Sequence, residues 1–252
     1  MQADYPSLTH HYGAMACQAG ELWLPSRTSP PVVVLLHGGF WRLPWGREQL
    51  HPLALDLCRR GFAVWNMGYR RLGEDGGGWP GTFEDVRAGL DALADLVGQG
   101  VVLDLHRVLL VGHSAGGHLA LWAAARHDGP VRPLAVAGLA PVTDLRRCHE
   151  FVREPEVLRT LLGGTPTSQA ERYRQASPVD CLPLGVPQLI LHGSEDEAVP
   201  LVWSQDYVRL ALQAGDAAQL TVIEGMDHMR FLDPASEAHQ QLCRWLVRIS
   251  AE

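Results

Sequence analysis

Residues 112–116 read Gly112-His113-Ser114-Ala115-Gly116, set between the apolar run Val108-Leu109-Leu110-Val111 and a helical run from Leu119 to Ala125. A serine between two glycines at a strand-to-helix junction is the arrangement of a nucleophile elbow. The sharp turn forces the serine into a strained backbone conformation and leaves its neighbours no room for side chains. The helix that follows aims its first amides and the positive end of its dipole at the point where an oxyanion would form. A serine hydroxyl is a weak nucleophile until a base takes its proton, so the chain must also supply a histidine and a group to orient it.

Twelve histidines compete for that role. His228, in Glu224-Gly225-Met226-Asp227-His228, follows the last strand-like run and precedes the final helical segment. Asp196, in His192-Gly193-Ser194-Glu195-Asp196, follows the preceding strand-like run in the same way. Glu195 and Glu197 flank Asp196 and stay open as the orienting carboxylate, whereas Asp227 reads as a solvated loop residue. His113 and His118 beside the elbow read as structural, and His37 as a loop-shaping hydrogen-bond donor. His10, His11, His51, His106, His127, His149 and His239 lack a supporting motif.

A second glycine pair, in His37-Gly38-Gly39-Phe40-Trp41, ends the run that starts at Val32 and so should lie at the carboxyl edge, where open α/β sheets bind ligands. The amides of Gly39, Phe40 and Ala115 are the expected oxyanion hole. Aromatic residues crowd the same predicted loops, and Trp41, Trp79, Trp203 and Phe231 are the expected lining of an apolar substrate pocket. The stretch Gly73 to Gly81 departs from the GxGxxG of dinucleotide sites, and Thr82 with Asp85 reads as the helix N-cap that ends it. Arg70 and Arg71 could meet a substrate carboxylate, with surface solvation the preferred reading.

These residues need a frame. Apolar runs at Val32–His37, Phe62–Met67, Arg107–His113, Leu134–Ala140, Pro187–His192 and Gln219–Ile223 read as strands covered on both faces. Helical spacing separates them: Val86, Leu90, Leu93 and Val97, and near the end Leu242, Trp245, Leu246 and Ile249. Alternating strands and helices argue a mostly parallel central sheet with helices on both faces. The first 30 residues read as an antiparallel edge hairpin. The stretch 146–183 breaks the rhythm, with short helices around Val157 and Tyr173, and is expected to be a small cap inserted into one domain spanning 1–252.

Composition removes several classes. All 21 basic residues are Arg, so lysine-dependent Schiff-base, pyridoxal-phosphate and Walker-type phosphate chemistry is excluded. A net charge of −7 without a basic stripe argues against nucleic acid. Five separated cysteines read as reduced cytosolic thiols, and with neither CxxC nor HExxH no metal site is expected. The start, Met1-Gln2-Ala3-Asp4, lacks the features of a signal peptide, and no apolar run approaches the ~18 residues that cross a membrane. The expectation is a cytoplasmic, cofactor-independent protein acting on a small molecule, with a homodimer left open.

HGGFW at 37, GHSAGGHLAL at 112, APVTDL at 140, HGSEDEAVP at 192 and GMDHMRFLDP at 225 resemble the α/β-hydrolases of the small esterase type. That group includes hormone-sensitive-lipase-like esterases, prolyl-oligopeptidase-like catalytic domains and kynurenine formamidase. The resemblance spans roughly residues 20–250 and implies the α/β-hydrolase fold, whose triad runs Ser114, Asp196, His228 in chain order. It implies a serine hydrolase of small esters working through an acyl-enzyme. HGGFW is similar to the HGGxW of kynurenine formamidase, which makes an aryl formamide the alternative substrate, while Asp196-Glu197-Ala198-Val199-Pro200 resembles the acid loop of general esterases. The alternative of another class is a non-catalytic receptor holding a ligand in the same cavity.

Overall fold

The computed structural model describes residues 7–251; residues 1–6, which include part of the expected N-terminal hairpin, lie outside them. Eight strands form one sheet: β1 (Ser7–His11), β2 (Ala19–Trp23), β3 (Pro31–Leu36), β4 (Ala63–Met67), β5 (Asp104–His113), β6 (Pro133–Leu139), β7 (Gln188–Gly193) and β8 (Ala218–Ile223). They lie in the order β1-β2-β4-β3-β5-β6-β7-β8. The hairpin β1–β2 is antiparallel and meets β4 antiparallel; every other pairing is parallel. The interior strands β3, β4 and β7 are buried at every position, which is why they read as continuous apolar runs.

The pleat sorts each strand between two cores. Val32, Val34 and Leu36 of β3 pack with helices α2 (Gly81–Gly98) and α3 (Ala115–Arg126) on one face. Val33 and Leu35 pack on the other with α1 (His51–Arg59) and α8 (Glu237–Ile249). Leu242, Trp245, Leu246 and Ile249 are all buried, as their spacing predicts. On α2 the spacing holds for Val86, Leu90 and Leu93 but not for Val97, which is exposed one residue before the end of the helix while Leu96 takes the buried position.

Two local readings are corrected. Thr82 and Asp85 do not cap α2, because the helix begins at Gly81 and has no side-chain cap. Thr82 Oγ1 accepts from Gly78 N and donates to Arg70 O, while buried Asp85 receives the Arg70 guanidinium through Nε at 2.9 Å and Nη2 at 2.7 Å. Arg70 and Arg71 are thus neither solvated nor free for substrate: Arg71 pairs with Glu74 at 2.7 Å. Together they staple the glycine-rich loop to the sheet.

Between β6 and β7 the chain forms α4 (Leu145–Phe151), α5 (Glu156–Leu162) and α6 (Ala170–Ala176), and α7 (Leu201–Gln213) follows β7. Val157, Leu158, Leu161 and Tyr173 join the core on the α2–α3 face. Trp79 N donates to Leu161 O at 2.6 Å, docking the glycine-rich loop on α5.

Parallel register fixes where the loops emerge. Leu36 stands beside Gly112, His113 beside Leu139, Leu139 beside Leu191, and Gly193 beside Ile223. The loops after β3, β5, β7 and β8, which carry Gly39 and Phe40, Ser114, Asp196 and His228, therefore leave from one carboxyl edge.

Candidate active site

Ser114 lies between β5 and α3 with φ 54° and ψ −118°. A side chain at this positive φ costs energy that the surrounding packing must hold in place. Its amide donates to Leu139 O at 2.9 Å, and its carbonyl accepts from His118 N at 3.0 Å. Gly116 is required because a Cβ there would collide with the carbonyl oxygen of Leu36 at the end of β3. The elbow can therefore sit directly on the neighbouring strand end.

The loop after β3 turns through three consecutive positive-φ residues, Gly39 (106°), Phe40 (52°) and Trp41 (55°). A Cβ on Gly39 would strike the side chain of Trp45. Among the described residues none accepts a hydrogen bond from the amides of Gly39, Phe40 or Ala115, which leaves three N–H groups available to an incoming oxygen. His37 anchors this loop: its ring stacks on Tyr69 at 4.3 Å, Tyr69 Oη donates to its carbonyl at 2.7 Å, and its Nδ1 donates to Gly38 O at 2.7 Å.

On the opposite side, His228 Nδ1 donates to Asp196 Oδ2 at 2.7 Å. Asp196, rather than Glu195 or Glu197, is the carboxylate in contact with the imidazole. Its side chain is fully buried, and its Oδ1 accepts from the amides of Ala198 (2.9 Å) and Val199 (2.8 Å). Burial opposes ionisation, but the donors His192 and His228 outweigh it and hold the carboxyl well below the usual carboxylate range. Asp227 is exposed and caps the turn after His228 by accepting from Met229 N and Arg230 N.

The histidines beside the elbow are neutral scaffolding. Burial pushes His113 down to about 3 and His118 to about 4, and likewise His37 to about 4. His118 Nε2 donates to Ala176 O at 2.9 Å while its Nδ1 accepts from Trp41 Nε1 at 3.1 Å. His113 Nε2 donates to His228 O at 2.9 Å.

The expected aromatic pocket is corrected. Trp41 is completely buried, holding the loop after β3 to α3; Phe231 is buried beneath His113, and Trp203 is buried at the start of α7. Trp79 faces a separate cavity of about 230 Å³ with Arg87 and Trp122. The rings of Trp41, Trp203 and Phe231 pack under the loops at the sheet edge. The cleft beside the imidazole is formed by the acid loop and Met229. It adjoins, at Glu197 and Ala198, a cavity of about 570 Å³ lined by Phe40, Arg42, Phe151, Val152, Arg153 and Glu154 among others. Arg42 pairs with Glu154 across its mouth at 2.7 Å.

Sequence reasoning passed over His192. Its place at the end of β7, four residues before Asp196, was the available signal. A cluster of Asp56, His239 and Cys243 joins α1 to α8. There Asp56 Oδ2 already takes both His239 Nε2 (2.7 Å) and Arg60 Nε (2.6 Å), so a guanidinium supplies the cation.

The chain matches the family model BD-FAE over residues 21–210. It is 28% identical over 192 residues to the probable carboxylic ester hydrolase LipM of Mycobacterium tuberculosis, covering 71% of this chain and 44% of that protein. It is also 28% identical over 117 residues to kynurenine formamidase of Danio rerio, covering 43% and 35% respectively. The chain spans about half the length of the curated ester-hydrolase relatives it matches. Among solved structures it is similar to a truncated carbohydrate esterase from gut microbiota, with TM-score 0.86 over 98% of both chains at 19% identity. The fold is that of the α/β-hydrolases.

Proposed function

The chain belongs to the BD-FAE family, and from that membership and the site geometry we propose that it is a serine hydrolase cleaving small carboxylic esters through Ser114, His228 and Asp196. The observation that carries the reading is the strained Ser114, φ 54°, at the carboxyl edge that also carries the His228–Asp196 pair at 2.7 Å. Because His228 Nδ1 donates to the carboxylate, Nε2 keeps the lone pair a general base needs. Ser114 Oγ attacks the ester carbonyl as His228 Nε2 takes its proton. The amides of Gly39, Phe40 and Ala115 receive the oxyanion. Collapse expels the alcohol, protonated by His228, and leaves an acyl-serine. Water then attacks with His228 again as base, releasing the acid and restoring the serine.

The unit we propose is a single hydrolase domain in which residues 146–183 form a small cap over the cavity at Phe40 and Phe151, and its place is the cytoplasm. Among the described residues no helix is long and apolar enough to cross a membrane.

The second reading is an arylformamidase, supported by the match to kynurenine formamidase and by HGGFW. The tryptophan of that motif is buried against His118, so it bears on loop anchoring rather than on substrate choice, and the ester reading is preferred. The test is kcat/KM for N-formylkynurenine against p-nitrophenyl esters from acetate to octanoate, with Ser114→Ala as blank. Ester turnover with formamide near blank supports the reading; a strong formamide preference overturns it in favour of the second. Absence of turnover with no fluorophosphonate labelling of Ser114 would identify a binding protein.

A further inference from the structure

Besides His228, one side chain approaches the same carboxylate oxygen. His192, at the end of β7 and fully buried, has Nε2 3.4 Å from Asp196 Oδ2 and 2.9 Å from Val199 O. Both neighbours are acceptors, so Nε2 must carry the proton. Its Nδ1 is then an acceptor and takes the hydroxyl of Ser204, fully buried on α7, at 2.7 Å. The chemistry on both sides of the ring permits one neutral tautomer.

The arrangement encloses the carboxylate. Oδ1 is held by the amides of Ala198 and Val199, the carbonyl of Val199 is held by the His192 Nε2–H, and Oδ2 takes His228 Nδ1 with His192 Nε2 3.4 Å away. A carboxylate whose Oδ1 is fixed holds its Oδ2 in one direction, which gives an imidazole partner a stable orientation. We propose that His192, locked by Ser204, is a positioning residue that holds Val199, and through the Val199 amide the Asp196 carboxylate, in the orientation that meets His228. The inference rests on the triad reading given above.

The test is a double-mutant cycle on the full chain with a p-nitrophenyl ester. His192→Leu removes the donor and is expected to lower kcat about tenfold with KM within about twofold. His192→Gln, which restores an amide donor, should recover most of the loss. In an Asp196→Asn background, where the carboxylate is gone, His192→Leu should cost no more than about twofold. Equal losses in both backgrounds, or no recovery with Gln, would make His192 a structural residue only and overturn the proposal. Should His192→Leu fail to fold, Ser204→Ala is carried through the same cycle, with a smaller kcat loss expected that again disappears with Asp196→Asn; an additive loss overturns the proposal equally. If Asp196→Asn alone leaves kcat unchanged, the triad reading itself is the one that fails.

Discussion

His113 Nε2 donates to the backbone carbonyl of His228 at 2.9 Å, so the residue before the strained serine holds the loop that carries the imidazole. The two rings lie 4.6 Å apart. Ser114 and His228 are thereby referenced to each other through one buried side chain rather than through two independent loops.

Replacing Ser114 by Ala removes the proposed nucleophile without touching the core. We expect kcat to fall by about 10⁴-fold or more, with an unchanged far-UV CD spectrum and complete loss of fluorophosphonate labelling. Activity retained by this variant would discard the mechanism.

The contact at 2.7 Å selects Asp196 over its neighbours. Asp196→Asn should lower kcat by about 10³- to 10⁴-fold, whereas Glu195→Gln and Glu197→Gln, both on exposed positions, should stay within about threefold of the parent. Steady-state kinetics on the three variants decide the assignment.

Gly39 adopts φ 106°, and a Cβ there meets Trp45. Gly39→Ala should displace the proposed oxyanion amides and lower kcat about 100-fold while KM changes little, since the ground-state ester makes weaker use of those donors. A pure KM effect would remove Gly39 from the oxyanion hole.

The correction to the aromatic pocket is equally testable. Trp41→Ala, which empties a fully buried site and orphans His118 Nδ1, should cost about 3–5 kcal/mol of stability in urea unfolding. Phe151→Ala, at a side chain 51% exposed on the cavity wall, should leave stability within about 0.5 kcal/mol and raise KM instead.

Stability should depend on pH through the neutral buried histidines. His37, His113 and His118 are pushed by burial to about 4, 3 and 4, whereas in the unfolded chain histidine titrates near ~6.5. Below ~6.5 the unfolded chain therefore binds protons that the folded chain refuses. Their contribution is complete above that pH and is lost as pH falls toward the folded values. Urea unfolding between pH 7 and 5 should show stability decreasing on acidification, and His118→Gln, which keeps a donor for Ala176 O, should reduce the slope near pH 5 by about 1.4 kcal/mol per pH unit. An identical slope in the variant would mean that His118 is not kept neutral by the fold.

Much of the frame is written locally. The continuous apolar runs of β3, β4 and β7 and the spacing of Leu242, Trp245, Leu246 and Ile249 specify strands and a covering helix, because burial on both faces or on one stripe imposes its own periodicity on the chain. The elbow is legible for the same reason: Gly116 answers a steric demand from Leu36 that only glycine meets. Side-chain partners at long range are not written this way. Which carboxylate of Glu195, Asp196 and Glu197 faces His228, that Trp41 points into the core, that Arg70 closes on Asp85, and that His192 reaches Asp196 all follow from how loops from separate strands meet once the parallel register has aligned their ends. Residue type and spacing determined the elements and the chemistry available; only the tertiary structure decided which of those groups touch, since contact distance depends on packing between elements far apart in the chain.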